Sequence, residues 1–189
     1  MEQFEDDPLE YIRRDLSLTS EGVEATRRHA ASDLVRALIS VGLEAEVTGI
    51  VMGFVVAGLT SYSQNPAENW KAKDTAIYLF TSIASLGSTA SQGVTSTNVL
   101  IDIIKFFSEN VYDDLHAEVG TIHPIMQVDA IRFIHTFRYQ VRHCRFPPCD
   151  STYDVIAVDK RATACCASSP HSTFGFEQLR FLFLRSNHH

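Results

Sequence analysis

The feature that most constrains this chain is a recurrence of amphipathic helix patterns in pairs, restarting about 45 residues apart. Ala30, Ala31, Leu34, Val35, Leu38 and Ile39 fall at the three-and-four spacing that gathers side chains on one face of a helix. Gly42 is placed to stop it. A second helix begins near Glu44, carries Val47, Ile50, Val51, Phe54, Val55 and Tyr62, and reaches the turn signal Asn65-Pro66. Two helices joined so tightly lie antiparallel. The pattern then restarts. Asn69 is a candidate cap for a third helix whose buried side holds Trp70, Ile77, Phe80, Thr81 and Ala84 before Gly87 ends it. After a Ser/Thr/Gly-rich loop from Ser88 to Thr95, a fourth helix runs through Val99, Ile103, Phe106 and Phe107. A fifth runs from about Pro124 through Val128, Ile131, Ile134 and Phe137. No strand-like alternation competes with this reading.

Pairs starting near Glu24 and Asn69 match the period of HEAT-type helical repeats. The expected fold is therefore all-α, an α-α superhelix of HEAT/armadillo-like repeats, with about two and a half repeats present. A compact bundle of five or six helices fits the same periodicity, and the pattern alone does not choose between them. The physical difference lies at the ends. A helical hairpin in a superhelix cannot bury its own apolar face and depends on the hairpins stacked beside it, so uncapped ends expose apolar surface and favour self-association.

The composition, 45% hydrophobic and 21% charged, is that of an ordinary globular protein. The net charge of −7 is concentrated at the start, where Glu2, Glu5, Asp6, Asp7, Glu10, Asp15, Glu21 and Glu24 face only Arg13 and Arg14. Such a balance repels phosphate backbones, so nucleic acid is not an expected partner. The opening Met-Glu-Gln-Phe-Glu-Asp-Asp lacks the basic flank and apolar run of a signal peptide, which predicts an intracellular protein. Membrane insertion is not expected either: the most apolar stretch, Val47 to Leu59, is interrupted by Gly49, Gly53 and Gly58 and falls short of the roughly 20 residues a span needs. It reads as a buried helix whose glycines permit close approach of a neighbour.

Four short phrases occur in order along residues 3–140. They are Phe4-Glu-Asp-Asp-Pro-Leu-Glu-Tyr-Ile-Arg-Arg-Asp15, Thr26-Arg-Arg-His-Ala-Ala31, Asn69-Trp-Lys-Ala-Lys-Asp-Thr-Ala-Ile-Tyr-Leu79 and Val128-Asp-Ala-Ile-Arg-Phe-Ile-His-Thr-Phe-Arg138. In this order they resemble the central region of the exportin-2 (cellular apoptosis susceptibility) family of importin-β-like nuclear transport receptors. The first phrase is shared with importin-7 and importin-8; the third and fourth favour exportin-2. The resemblance implies a superhelix of HEAT repeats that wraps around Ran-GTP and importin-α, carries importin-α out of the nucleus, and shuttles between nucleus and cytoplasm. It implies transport rather than an enzyme, with no cofactor. In that family the acidic phrase lies in or beside an insertion associated with partner contact, so the implied partner-binding residues are Glu5, Asp6, Asp7, Glu10, Arg13, Arg14 and Asp15. Their alternative role is to favour the positive end of a short helix starting at Pro8. For Arg27 and Arg28 a solvated or locally paired helix face is expected. The competing functional readings are a stand-alone helical adaptor and a small helical enzyme.

The resemblance covers a first region, residues 1–140, and stops in a second, residues 141–189, where no helical period survives. Read one base later, the codons for Leu182 to His188 can encode Tyr-Ser-Tyr-Ala-Ala-Ile-Thr, a phrase like that of the next repeat. Val141-Arg142 is compatible with the start of an unspliced intron. The tail is thus expected to be irregular, and to arise from intron read-through followed by a change of frame. It also holds all four cysteines, Cys144, Cys149, Cys165 and Cys166. With His143 these are too widely spaced for a structural zinc site, which favours pairs such as Cys-x2-Cys. His171, His188 and His189 have no identifiable nucleophile or acid partner in the sequence.

Overall fold

The computed structural model describes residues 27–89, 93–118 and 120–142, all inside one compact unit, Ala25–Cys144. The first helix, α1 (Arg27–Ser40), ends as the glycine predicts. Gly42 has φ +99, the left-handed region that L side chains avoid. The Gly42 amide donates to Ile39 O at 3.0 Å and the Leu43 amide to Leu38 O at 3.2 Å, the paired bonds of a Schellman stop. The chain turns directly into α2 (Glu44–Gln64), which closes at Asn65.

Helix α2 buries Val47, Val51 and Val55, one residue per turn, with Thr48 beside them. Its close approach to α3 (Trp70–Ala84) is made possible at a single glycine. A Cβ on Gly58 would lie 2.9 Å from Ala72 O and 3.2 Å from Ala76 Cβ, whereas Gly49 and Gly53 face open space. Only one of the three glycines therefore has the packing role expected of them. Asn69 stands at the start of α3 but does not cap it with its side chain; its Nδ2 instead donates to Ser61 O at 2.7 Å, fastening α3 to the end of α2.

Helix α3 is the axis of the unit, with Trp70, Ala76, Ile77, Phe80, Ile83 and Ala84 buried. From it the chain enters a feature not anticipated from the sequence, the antiparallel hairpin β1 (Ser85–Thr89) and β2 (Gly93–Thr97). Its register shifts around Gly87, as at a bulge. The segment looked like a plain loop because Ser, Thr and Gly dominate it; tertiary bonds hold it as strand, with Asn98 N donating to Ala84 O and Gln140 Nε2 to Val94 O.

The fourth helix, α4 (Ile103–Asn110), starts later than its apolar run suggests, because Asp102 caps it by accepting from Lys105 N at 2.9 Å. Val99, expected on its buried side, is 87% exposed. A short helix α5 (Tyr112–His116) follows, then α6 (Pro124–Thr136) with proline in its first turn, and α7 (Arg138–Arg142). The buried face of α6 is Ile125, Met126, Asp129, Ala130, Phe133 and Ile134, turned by about one residue from the predicted stripe. Val128 and Ile131 are only half-buried.

The order of packing is the architecture. Helix α1 packs on α3 and α3 packs on α6, so the first helices of successive hairpins form a row, while α2 fills the space beside α3. This is the layering of an all-α superhelix. The irregular tail predicted for residues 141–189 lies, from residue 143 onward, outside the described residues.

Candidate functional site

The residues singled out as partner-binding, Glu5, Asp6, Asp7, Glu10, Arg13, Arg14 and Asp15, lie outside the described residues, as do Cys144, Cys149, Cys165, Cys166 and His143. Among the described residues two features stand out: an apolar face on the first two helices, and a charged seam inside the helical row.

The apolar face belongs to α1, α2 and the turn between them. Leu34 (61%), Val41 (72%), Ile50 (64%) and Phe54 (65%) are exposed although hydrophobic. Ala30, Ala31, Ala37, Gly53 and Ala57 on the same outer sides are also exposed, and these small residues let a further helix come close. Leu34, Ile50 and Phe54 were expected in the helix core, and the correction has a simple cause. Periodicity reports that a face is apolar; it does not report whether the covering element is α3 or something beyond the described residues. Helix α2 is also, by length and composition, long and apolar enough to cross a membrane, at 21 residues and a mean hydropathy of 1.4, with 17% of that stretch buried. The short limits read from Val47 to Leu59 underestimated it. Its valine face packs against α3, and only the opposite face is free.

Beneath this face runs the seam. Arg28 of α1 pairs with Asp74 of α3, Nη2 to Oδ1 at 3.0 Å, donates also to the Asp74 carbonyl at 3.3 Å, and lies over the Tyr78 ring at 4.0 Å. A solvated or locally paired face was expected of both arginines: Arg27 is exposed, whereas Arg28 is paired at long range, with Asp74 46 residues away on another helix. Asp129 of α6 lies against Asp74 from the other side. Burial pushes its carboxyl well above the usual carboxylate range, the neighbouring Asp74 charge adds to this, and Arg28 and Arg132 oppose it. Ser32 Oγ of α1 donates to Ser82 Oγ of α3 at 2.9 Å along the same seam. Nearby, Lys73 Nζ sits between the oxygens of Asp114, 2.9 Å from Oδ1 and 2.7 Å from Oδ2, and 4.5 Å from the Tyr62 ring centroid. Burial raises the Asp114 carboxyl more than Lys73 lowers it.

His123 closes the arrangement at the start of α6. Its ring stacks on Trp70 at 3.8 Å and 5°, and Nδ1 accepts from Ile125 N at 3.4 Å. Burial lowers its pKa, which favours the neutral ring that an accepting nitrogen requires. An open groove of about 810 Å³ also lies between α2 and α4, lined among others by Met52, Val56, Leu59, Leu100 and Lys105. No group of three or more His, Cys, Asp or Glu side chains is arranged to hold a metal among the described residues.

Sequence reasoning missed Lys73, Asp74, Asp114 and Asp129. A signal for Asp74 was available: it lies four residues after Trp70 and three before Ile77, on the stripe assigned to the core. A charge on such a stripe demands a buried partner. Its partners, 46 and 55 residues away in Arg28 and Asp129, have no local signature.

With this geometry in hand, the likenesses to known proteins become specific. The family model described as Cse1 matches residues 1–147. Exportin-2 of Homo sapiens is 45% identical over 141 residues, covering 74% of this chain and 14% of the relative. Exportin-2 of Xenopus laevis is 44% identical over the same extent. A solved structure described as the exportin Cse1 in its cargo-free, cytoplasmic state aligns over 98% of this chain and 18% of its own, with 34% identity and a TM-score of 0.66. The chain thus spans 14% of the length of the curated relatives it matches.

Proposed function

We propose, since this chain belongs to the Cse1 family of exportins, that it supplies one stretch of a receptor that carries importin-α from nucleus to cytoplasm with Ran-GTP. The observation that carries the reading is the uncovered face of α1 and α2, where Leu34, Ile50 and Phe54 are more than half exposed. A face this apolar and this rich in small residues suits a preceding helical hairpin better than water. The rigid row α1–α3–α6 then serves as a platform, and partner contact falls to charged segments attached to it. The acidic run holding Glu5, Asp6, Asp7, Glu10 and Asp15, with Arg13 and Arg14, precedes α1 in the sequence, and its charge suits steering of a basic partner surface. Residence in both nucleus and cytoplasm follows from that role, and no catalysis is assigned to the chain. Residues 141–189 are read as the product of intron read-through followed by a change of frame; genomic sequence across those codons decides the point.

A pulldown with Ran-GTP and importin-α tests the partner assignment. Wild type is expected to retain at least one of them, and Asp6→Lys with Asp7→Lys to weaken retention by about tenfold or more, with the loss shrinking in high salt as exposed charges are screened. Unchanged binding in the double variant removes the acidic run from the interface. Binding of neither partner by wild type favours a helical adaptor with another ligand.

A further inference from the structure

Asp74 and Asp129 reach each other from different helices, and both are enclosed, at 1% and 5% exposure. Arg28 satisfies Asp74 Oδ1 at 3.0 Å. Asp74 Oδ2 and Asp129 Oδ2 are buried and receive no hydrogen bond from an N–H or O–H donor among the described residues. The two carboxyl groups nevertheless lie within hydrogen-bonding reach of one another. Two carboxylates in contact repel and have no donor between them; one acid and one carboxylate form a short, charge-assisted bond. We infer that Asp74 and Asp129 share one proton at neutral pH, and that this acid–carboxylate bond locks α6 to α3 while Arg28 of α1 balances the single remaining charge. The lock therefore extends through three consecutive helices of the row, and a proton is its removable part.

The charged surroundings favour this state over full ionisation. Arg28 faces the pair from α1, Arg132 from α6, and His123 senses Asp74 from the N-terminus of α6. Arg28 is already committed to Asp74 Oδ1 and the Tyr78 ring. Arg132 is directed toward the same ring, at 5.9 Å from its centroid. Burial and the Asp74 charge outweigh both cations in raising Asp129. Because the folded-state value is raised, the stabilisation belongs to the protonated form. It is complete below the ordinary carboxylate range, near pH 4, and is lost as pH rises through the folded value.

The test uses the full chain. Asp129→Asn replaces the acid by an amide that still donates to Asp74. Its unfolding equilibrium constant is expected to fall relative to wild type as pH rises, by up to about tenfold per pH unit. In parallel, wild type at neutral pH should show the infrared carbonyl stretch of a protonated carboxylic acid, absent from Asp129→Asn. If the stability difference between the two proteins is independent of pH and the acid band is missing from wild type, both carboxyls are ionised and the inference is overturned. If Asp129→Asn does not fold, the wild-type band alone decides.

Discussion

Phe133→Ala is expected to cost about 3–5 kcal/mol of folding stability, a large part of the about 5–15 kcal/mol that a domain possesses. Phe133 is 1% exposed and central to an aromatic cluster that unites three helices of the unit. Its ring lies 6.1 Å from Phe80 on α3, 5.8 Å from Phe106 and 6.0 Å from Phe107 on α4, and 4.7 Å from Phe137 at the end of α6. Phe80 and Phe106 close the cluster with centroids 3.6 Å apart. Truncation removes apolar burial and leaves a cavity whose walls, all rings on fixed helices, have little freedom to collapse. Urea unfolding followed by circular dichroism gives the number. A loss under about 1 kcal/mol, ordinary for a surface change, would show that this cluster is not the centre of the unit.

Lys73→Met is the second large effect, with an expected loss of about 3–5 kcal/mol at neutral pH. The pair it breaks is enclosed on both sides, with side chains 8% and 6% exposed. Removing one partner strands a charge in the interior, whereas removing both as Lys73→Met with Asp114→Leu should cost much less, because the desolvation penalty disappears with the charges. The single variant carries its own check. Burial already lifts the Asp114 carboxyl against the pull of Lys73, and without Lys73 it rises further. A raised folded-state value stabilises the protonated form, so the deficit of Lys73→Met should shrink as pH falls toward the carboxylate range. A deficit that is constant with pH would mean that lost packing against Tyr62, not stranded charge, dominates.

These two sites mark the division between what could be read in advance and what could not. The helix limits at Gly42, Asn65 and Trp70 were legible because stop and start signals act over three or four residues. The row of helices was legible as a period. Ile50 and Phe54 were recognisable as apolar but not as exposed, since exposure depends on which elements stand beside α2. The hairpin at Ser85–Thr97 escaped notice because Ser and Gly interrupt its Val and Thr residues, and bonds from Gln140 and Asn98, outside the two strands, help to hold it. Lys73 with Asp114, and Arg28 with Asp74, are 41 and 46 residues apart, and no local pattern announces a pairing of that range. The acidic residues assigned to partner contact stay a reading of the resemblance, since they lie outside the described residues.

The account rests on the outer face of α1 and α2 being a junction between helical hairpins. Light scattering of the purified chain across a concentration series tests this most directly. Wild type should self-associate as concentration rises, and Ile50→Lys with Phe54→Lys should become monomeric while keeping its helical spectrum and unfolding midpoint, because those side chains are already 64% and 65% exposed. A wild-type chain that stays monomeric and unfolds cooperatively over the whole series would contradict it, for the face would then be a finished surface.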